Sequence, residues 1–261
     1  MNLTIYQVDA FTKSLFGGNP AAIIPLSKWV EESLLQKIAM ENNVSETAYF
    51  VPAKNGYDIR WFTPGVEINL CGHATLASAF ILYEFMGYEH PSIHFHSKSG
   101  ELIIRKDNGM LMMDFPSWMP TVINDIPAPL KEGLQSDDII SVHKNRDVLV
   151  EVKNAEAVRK IKPDFRKLKE FGNHVIVTAR GDDCDFVSRF FAPAAAIDED
   201  PVTGSAHSQL IPYWAAKLGK QKLFARQLSS RGGEVWCENV GDRVKMGGYC
   251  TFYMKGELEI S

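Results

Sequence analysis

The sequence predicts an α+β protein built from two similar halves. Three observations carry that expectation. Short β-rich segments outnumber long helical ones; the block Arg60-Trp61-Phe62-Thr63-Pro64 recurs as Arg189-Phe190-Phe191-Ala192-Pro193; and a proline-rich stretch (Pro116, Pro120, Pro127, Pro129) separates the two copies. A chain of 261 residues has room for two modest cores.

Taken in order, alternating or β-branched runs bounded by turn residues predict strands at 5–10, 21–25, 47–51, 57–62, 93–96, 102–106 and 110–114. Apolar residues at helical spacing predict helices at 32–40 and 73–86, the second stopped by Gly87 just beyond its end. After the prolines, strands are expected at 148–152, 175–179 and 186–191, a long helix at 205–218, and closing strands at 243–245 and 251–258. The boundary falls in the proline-rich stretch, giving an N-terminal lobe of residues 1–115 and a C-terminal lobe of 116–248.

The repeat extends beyond the five-residue block. Each copy is followed by a loop and then by a glycine triplet opening an apolar helix, Gly72-His73-Ala74 in one half and Gly204-Ser205-Ala206 in the other. Upstream, the segment from Glu46 to Val51 has a looser echo in the segment from Asn173 to Val177. A helix N-terminus carries unpaired N–H groups and the positive end of the macrodipole, and glycine lets a ligand approach the backbone. If the halves pack as pseudo-twofold mates, the two helix starts would face a shared cleft suited to a small carboxylate.

Composition narrows the partners. With 28 Lys and Arg against 32 Asp and Glu the formal charge is −4, without a basic footprint for nucleic acid or an anionic membrane. No apolar run reaches the roughly 20 residues of a membrane span, and the N-terminus lacks a signal-peptide layout. Cys71, Cys184, Cys237 and Cys250 form no CxxC pair and read as reduced thiols of a cytoplasmic protein. No GxGxxG, P-loop or lysine-centred motif calls for a cofactor.

Three titratable residues stand near the repeated unit. Glu46 sits at a loop edge entering a strand, a place for a general acid/base or equally for a capping glutamate. Asp200, in Asp198-Glu199-Asp200-Pro201, reads as part of a solvated acidic loop, with Pro201 biasing it towards an extended conformation. His73, in the first turn of its helix, is expected to have its pKa lowered by the dipole, leaving a neutral hydrogen-bond donor.

At these residues the sequence resembles the PhzF-type (phenazine-biosynthesis-like) family, whose fold is that of diaminopimelate epimerase. The resemblance runs through Val8-Asp9-Ala10-Phe11-Thr12, Gly18-Asn19-Pro20-Ala21-Ala22, Ser45-Glu46-Thr47-Ala48 and Arg60-Trp61-Phe62-Thr63-Pro64. It continues in Leu70-Cys71-Gly72-His73-Ala74-Thr75, Asp200-Pro201-Val202-Thr203-Gly204-Ser205-Ala206-His207 and Arg231-Gly232-Gly233. It implies two lobes, each a curved mixed β-sheet around a central helix, with strand 249–261 returning to the first lobe, and a homodimer. It further implies a cofactor-independent isomerase that moves a proton between carbons of a small anionic substrate, a dihydro-hydroxyanthranilate in the best understood member. By matching motif, Glu46 would shuttle the proton, Asp200 and His73 would orient and polarise the substrate, and Ser205 with the Gly72 and Gly204 backbone would hold its carboxylate.

Rival readings stay open. Cys71 admits the two-cysteine racemases of the wider superfamily, but Thr203 falls opposite it and no second thiol lies near Gly204, so Cys71 reads as a small buried residue. His94 and His96 share one strand face without a third ligand at recognisable spacing, so no metal site is expected there. Ser205 and His207 stand two apart at a helix start and cannot form a nucleophile/base pair. An inert small-molecule-binding relative would be expected to have lost Glu46, Asp200 or His73. Specificity is left to side chains such as Phe16, Tyr213 and Trp214.

Overall fold

A computed structural model describes residues 1–260. In chain order its first part comprises β1 (Asn2–Ala10), β2 (Asn19–Pro25), α1 (Glu32–Asn42), β3 (Glu46–Ala53), β4 (Gly56–Phe62), β5 (Glu67–Ile68), α2 (Gly72–Phe85), β6 (Ser92–Ser97), β7 (Gly100–Asp107) and β8 (Met110–Pro116). There follow β9 (Thr121–Ile123), α3 (Ala128–Leu134), β10 (Ile139–Lys144), β11 (Val148–Val152), α4 (Ala155–Lys160), α5 (Phe165–Phe171), β12 (Val175–Arg180), β13 (Phe186–Ala192) and β14 (Ile197–Asp200). The chain ends with α6 (His207–Leu218), β15 (Lys222–Gln227), β16 (Gly233–Val240), β17 (Arg243–Gly248) and β18 (Cys250–Glu259). It splits into two compact units, Met1–Asp114 with Gly247–Ser261, and Phe115–Met246.

In the first unit the sheet runs β18-β1-β2-β3-β4-β6-β7-β8, with parallel pairs at β2/β3 and β4/β6 and antiparallel pairs elsewhere. Helix α2 is buried from Gly72 to Ala79 and again at Ile81 and Leu82, an apolar surface on nearly every side. Such a helix cannot face water, and here it packs on β1, β2, β3 and β18. Helix α1 covers the other side, burying Leu35, Ile38 and Ala39 with Ile24, Tyr49, Val51 and Phe62.

The second unit repeats the pairing scheme strand for strand. β10/β11 are antiparallel, β11/β12 parallel, β12/β13 antiparallel, β13/β15 parallel and β15/β16 antiparallel. The short strands β5 and β14 pair with β4 and β13 in equivalent places. The repeat reaches single side chains: Arg60 grips Glu67 through two hydrogen bonds of 2.7 and 2.8 Å, and Arg189 grips Glu199 through two of 2.8 Å. Each is the planar, two-pronged arrangement that suits guanidinium and carboxylate.

Helix α6 occupies in the second unit the place of α2. Trp214 stacks on Phe186 of β13 and donates its indole N–H to Thr178 of β12, while Tyr213 donates to Glu151 of β11 at 2.6 Å. Tyr213 and Trp214 are thus buried anchors of the second unit. Pro212 lies inside α6, where it lacks the N–H that would reach the Ser208 carbonyl. The Trp118 N–H, 2.8 Å away, takes that carbonyl instead.

Two expectations need correction. The helix expected to open at 205 begins at His207, because 204–206 form a tight turn whose bonds run from residue i+3 to i, as His207 N–H to Gly204 O and Ser208 N–H to Ser205 O. The acidic segment read as a solvated loop is strand β14, held by Arg189 and by pairing with Phe190. Beyond these, β5, β9, β10, β15, β16 and the short helices α3, α4 and α5 were not anticipated from the sequence. No helix among the described residues is long and apolar enough to cross a membrane.

Candidate active site

In the first unit, Glu46 opens β3 and His73 is the second residue of α2. Both are buried, and His73 Nε2 lies 3.0 Å from Glu46 Oε2. The other ring nitrogen, Nδ1, meets the Asn19 side-chain amide at 3.1 Å and Cys71 Sγ at 3.5 Å. The imidazole therefore meets a carboxylate at one nitrogen and an amide and a thiol at the other.

Asn19 is held there by the turn before it. Gly18 adopts φ +62°, and a Cβ at that position would come 2.1 Å from the Ala10 carbonyl oxygen, so only glycine fits. The Gly-Asn-Pro block was legible in the sequence, but the role of Asn19 was not assigned. Its amide can serve either state of the ring, the nitrogen donating to a neutral Nδ1 and the oxygen accepting from a protonated one.

The electrostatics overturn the expectation for His73. Burial opposes protonation of the ring, yet the Cys71 sulfur and the Glu46 carboxylate favour it and carry the pKa well above the ordinary histidine value. A carboxylate in contact outweighs the partial charge of a helix end. Cys71 behaves oppositely: burial, followed by the Glu46 charge, pushes its thiol up to about 11. It is a protonated thiol at neutral pH, and so a poor base.

Glu46, Cys71 and His73 also present ligand atoms within 4.8 Å of one another, a spacing that could hold a metal ion.

In the second unit, Asp200 ends β14 and its Oδ2 accepts from Thr203 Oγ1 at 2.5 Å. Gln227, buried at the end of β15, ties this turn together: its amide donates to the Asp200 carbonyl at 2.7 Å and accepts from the Thr203 N–H at 2.9 Å. No sequence signal marked Gln227. Gly204 and Ser205 follow in the turn that leads into α6, and Ser205 Oγ accepts from Arg146 at 3.0 Å. His207 turns away, its Nδ1 at 2.9 Å from the Thr203 carbonyl, and burial takes its pKa down to about 4.

Of the six residues singled out from the sequence, Glu46, His73 and Gly72 therefore cluster in the first unit, and Asp200, Gly204 and Ser205 in the second. Phe16 stands exposed on a loop against Tyr253. His94 and His96 lie on the polar face of β6, engaged by Glu101 and by the Asn55 carbonyl.

The model of the family described as phenazine biosynthesis-like protein matches residues 8–256. An uncharacterized isomerase of Pseudomonas aeruginosa is 45% identical over 262 residues, with the whole of both chains covered. The crystal structure of a PhzF-family phenazine biosynthesis protein from Enterococcus faecalis superposes with a TM-score of 0.96 at 45% identity, again over all of both chains. A hydroxyproline epimerase from Agrobacterium vitis shares the fold alone, with a TM-score of 0.61 at 10% identity over 98% of this chain and 92% of that one.

Proposed function

Because this chain belongs to the phenazine biosynthesis-like (PhzF) family, we propose that it is an isomerase which moves a proton between carbons of a small carboxylate-bearing substrate. The observation that carries the reading is the buried contact between His73 and Glu46. A carboxylate at the start of a strand, backed by an imidazole that favours protonation, is a general acid/base group with a partner able to balance its charge.

Glu46 takes the proton from the substrate carbon and returns it to another. Asp200 orients the substrate, and Ser205 with the Gly72 and Gly204 backbone holds its carboxylate. General acid/base catalysis supplies about 10²–10⁴-fold, so stabilisation of developing charge by the helix starts supplies the larger share. Isomerase names among the relatives and the fold shared with an epimerase support this class of reaction. The height of the Cys71 pKa and the threonine at the equivalent position, Thr203, speak against a two-thiol racemase.

The test is proton exchange in heavy water. Small cyclic and aromatic amino or hydroxy acids are incubated with the protein in D₂O, and mass spectrometry follows deuterium at the migrating carbon. Exchange that disappears in Glu46→Gln supports the reading; exchange that survives that change and disappears in Cys71→Ala replaces it with thiol chemistry.

A further inference from the structure

Strand register assigns Glu46 a counterpart in the second unit. Thr47 lies opposite Phe62 and Val175 opposite Phe191, and the two phenylalanines are equivalent by the repeated five-residue block. Thr47 therefore corresponds to Val175, and Glu46 to His174, one residue before each. The glycine triplets make His73 correspond to Ser205. In the first unit these two positions touch directly. In the second they are joined through two other side chains.

The link begins at His174, whose Nδ1 lies 3.4 Å from Asp147 Oδ1. Asp147 is nearly buried (2% side-chain exposure), whereas the His174 side chain is 40% exposed. Arg146 places its Nε 3.0 and 3.1 Å from the two Asp147 oxygens, and its Nη2 bonds both Asp147 and Ser205 Oγ. Gln209 of α6 adds a further contact to Asp147 at 3.4 Å. Burial alone would raise the Asp147 pKa, but the His174 ring and the Arg146 guanidinium more than offset it, and the group lies below the usual aspartate value. The Phe190 ring meets His174 edge-on with ring centroids 5.6 Å apart.

A buried carboxylate facing one nitrogen of a half-exposed imidazole fixes the ring proton at that nitrogen and leaves the other as a lone-pair base. We propose that His174, oriented by Asp147, is a second acid/base group of this protein, standing in the second unit where Glu46 stands in the first. The inference rests on the reading of Glu46 and takes the same substrate class, a small carboxylate with an acidic C–H bond next to a charge-accepting group. In the step, the C–H electron pair passes into the enolate, and the proton bonds to Nε2. The resulting imidazolium is balanced by Asp147, and the reverse step returns the proton. Arg146 acts as a positioning residue: by donating to Ser205 Oγ it occupies an oxygen lone pair and leaves the hydroxyl hydrogen to donate to an anion.

The test uses the full-length protein labelled with ¹⁵N in its histidine rings. In wild type, the neutral His174 ring should carry its proton on Nδ1, read from long-range ¹H–¹⁵N correlations. Asp147→Asn should move it to Nε2 and slow carbethoxylation of His174 about tenfold, with His90, exposed in the first unit, as the internal control, since loss of an orienting carboxylate gives the wrong tautomer. A wild-type ring protonated on Nε2 overturns the proposal without any variant having to fold, and so does unchanged carbethoxylation in Asp147→Asn. With any substrate on which Glu46 acts, His174→Gln should lower deuterium exchange about 100-fold; a wild-type rate there overturns the proposal while leaving Glu46 in place. Glu46→Gln should leave the His174 tautomer unchanged, so the two readings fail separately.

Discussion

His73 Nε2 stands 3.0 Å from Glu46 Oε2, with side-chain exposures of only 5% and 8%. Few arrangements are so dependent on both members. Removing one partner of a buried charged pair leaves the other without compensation, at a cost of about 3–5 kcal/mol. Glutamine at position 46 keeps the shape, and the imidazole can shed its proton once the carboxylate charge is gone, so this change separates chemistry from folding better than a truncation does.

In Glu46→Gln, proton exchange with any accepted substrate should fall by at least about two orders of magnitude, the usual share of a positioned acid/base. Substrate binding should be largely kept, because the residues proposed to hold the carboxylate are others. Cys71→Ala should cost less than about tenfold, since its thiol is protonated at neutral pH. Deuterium incorporation measured by mass spectrometry, beside binding by calorimetry, checks all three.

The two buried histidines should pull stability in opposite directions with pH. His73 has a folded pKa above its unfolded value near 6.5, so its contribution is complete below that value and is lost as pH rises through the folded pKa. His207 has a folded pKa of about 4, so between 6.5 and 4 the unfolded chain binds the proton and the native one does not. Acidification through that window should remove up to about 3 kcal/mol, and His207→Gln should flatten the loss. Urea unfolding at intervals from pH 4 to 9 reads both slopes.

Gln227→Leu should destabilise the second unit by about 1–3 kcal/mol, because it leaves the Thr203 N–H without its 2.9 Å acceptor in a buried turn. The same change frees the Asp200 carbonyl, so turnover should fall further than stability explains. Thermal unfolding and exchange rates measured on one preparation distinguish the two effects.

Small carboxylates should protect the protein against thermal unfolding. At about 100 times the dissociation constant, protection amounts to about 2.7 kcal/mol. Benzoate titrated in a thermal shift assay provides the measure, with benzamide as the uncharged control. Equal shifts with both compounds, or none with either, would sink the anion-holding role proposed for Gly72, Gly204 and Ser205.

Much of this was legible in the residues themselves. The repeated Arg-x-Phe-x-Pro block and glycine triplets marked the two-fold plan, since each depends on local rules: β-alternation, a proline turn, a glycine before an apolar helix. The strands at 148–152 and 57–62 were readable for the same reason. By contrast, β15 and β16 mix charged and apolar residues without a distinctive turn, so their pairing is a non-local choice.

The sequence by itself determined the two-part α+β plan and the chemistry available at Glu46, His73 and Asp200, because residue type and local periodicity are properties of short segments. Only the tertiary structure decided which of those groups meet. It brought Glu46 against His73 and raised a pKa that the helix dipole alone would have lowered. It drew Asp200 out of an apparent acidic loop into a strand held by Arg189 and Gln227, and it set His174, Asp147, Arg146 and Ser205 in a line. The reason is physical: charge–charge energy and desolvation depend on distance and burial, and both are fixed by contacts between residues dozens of positions apart.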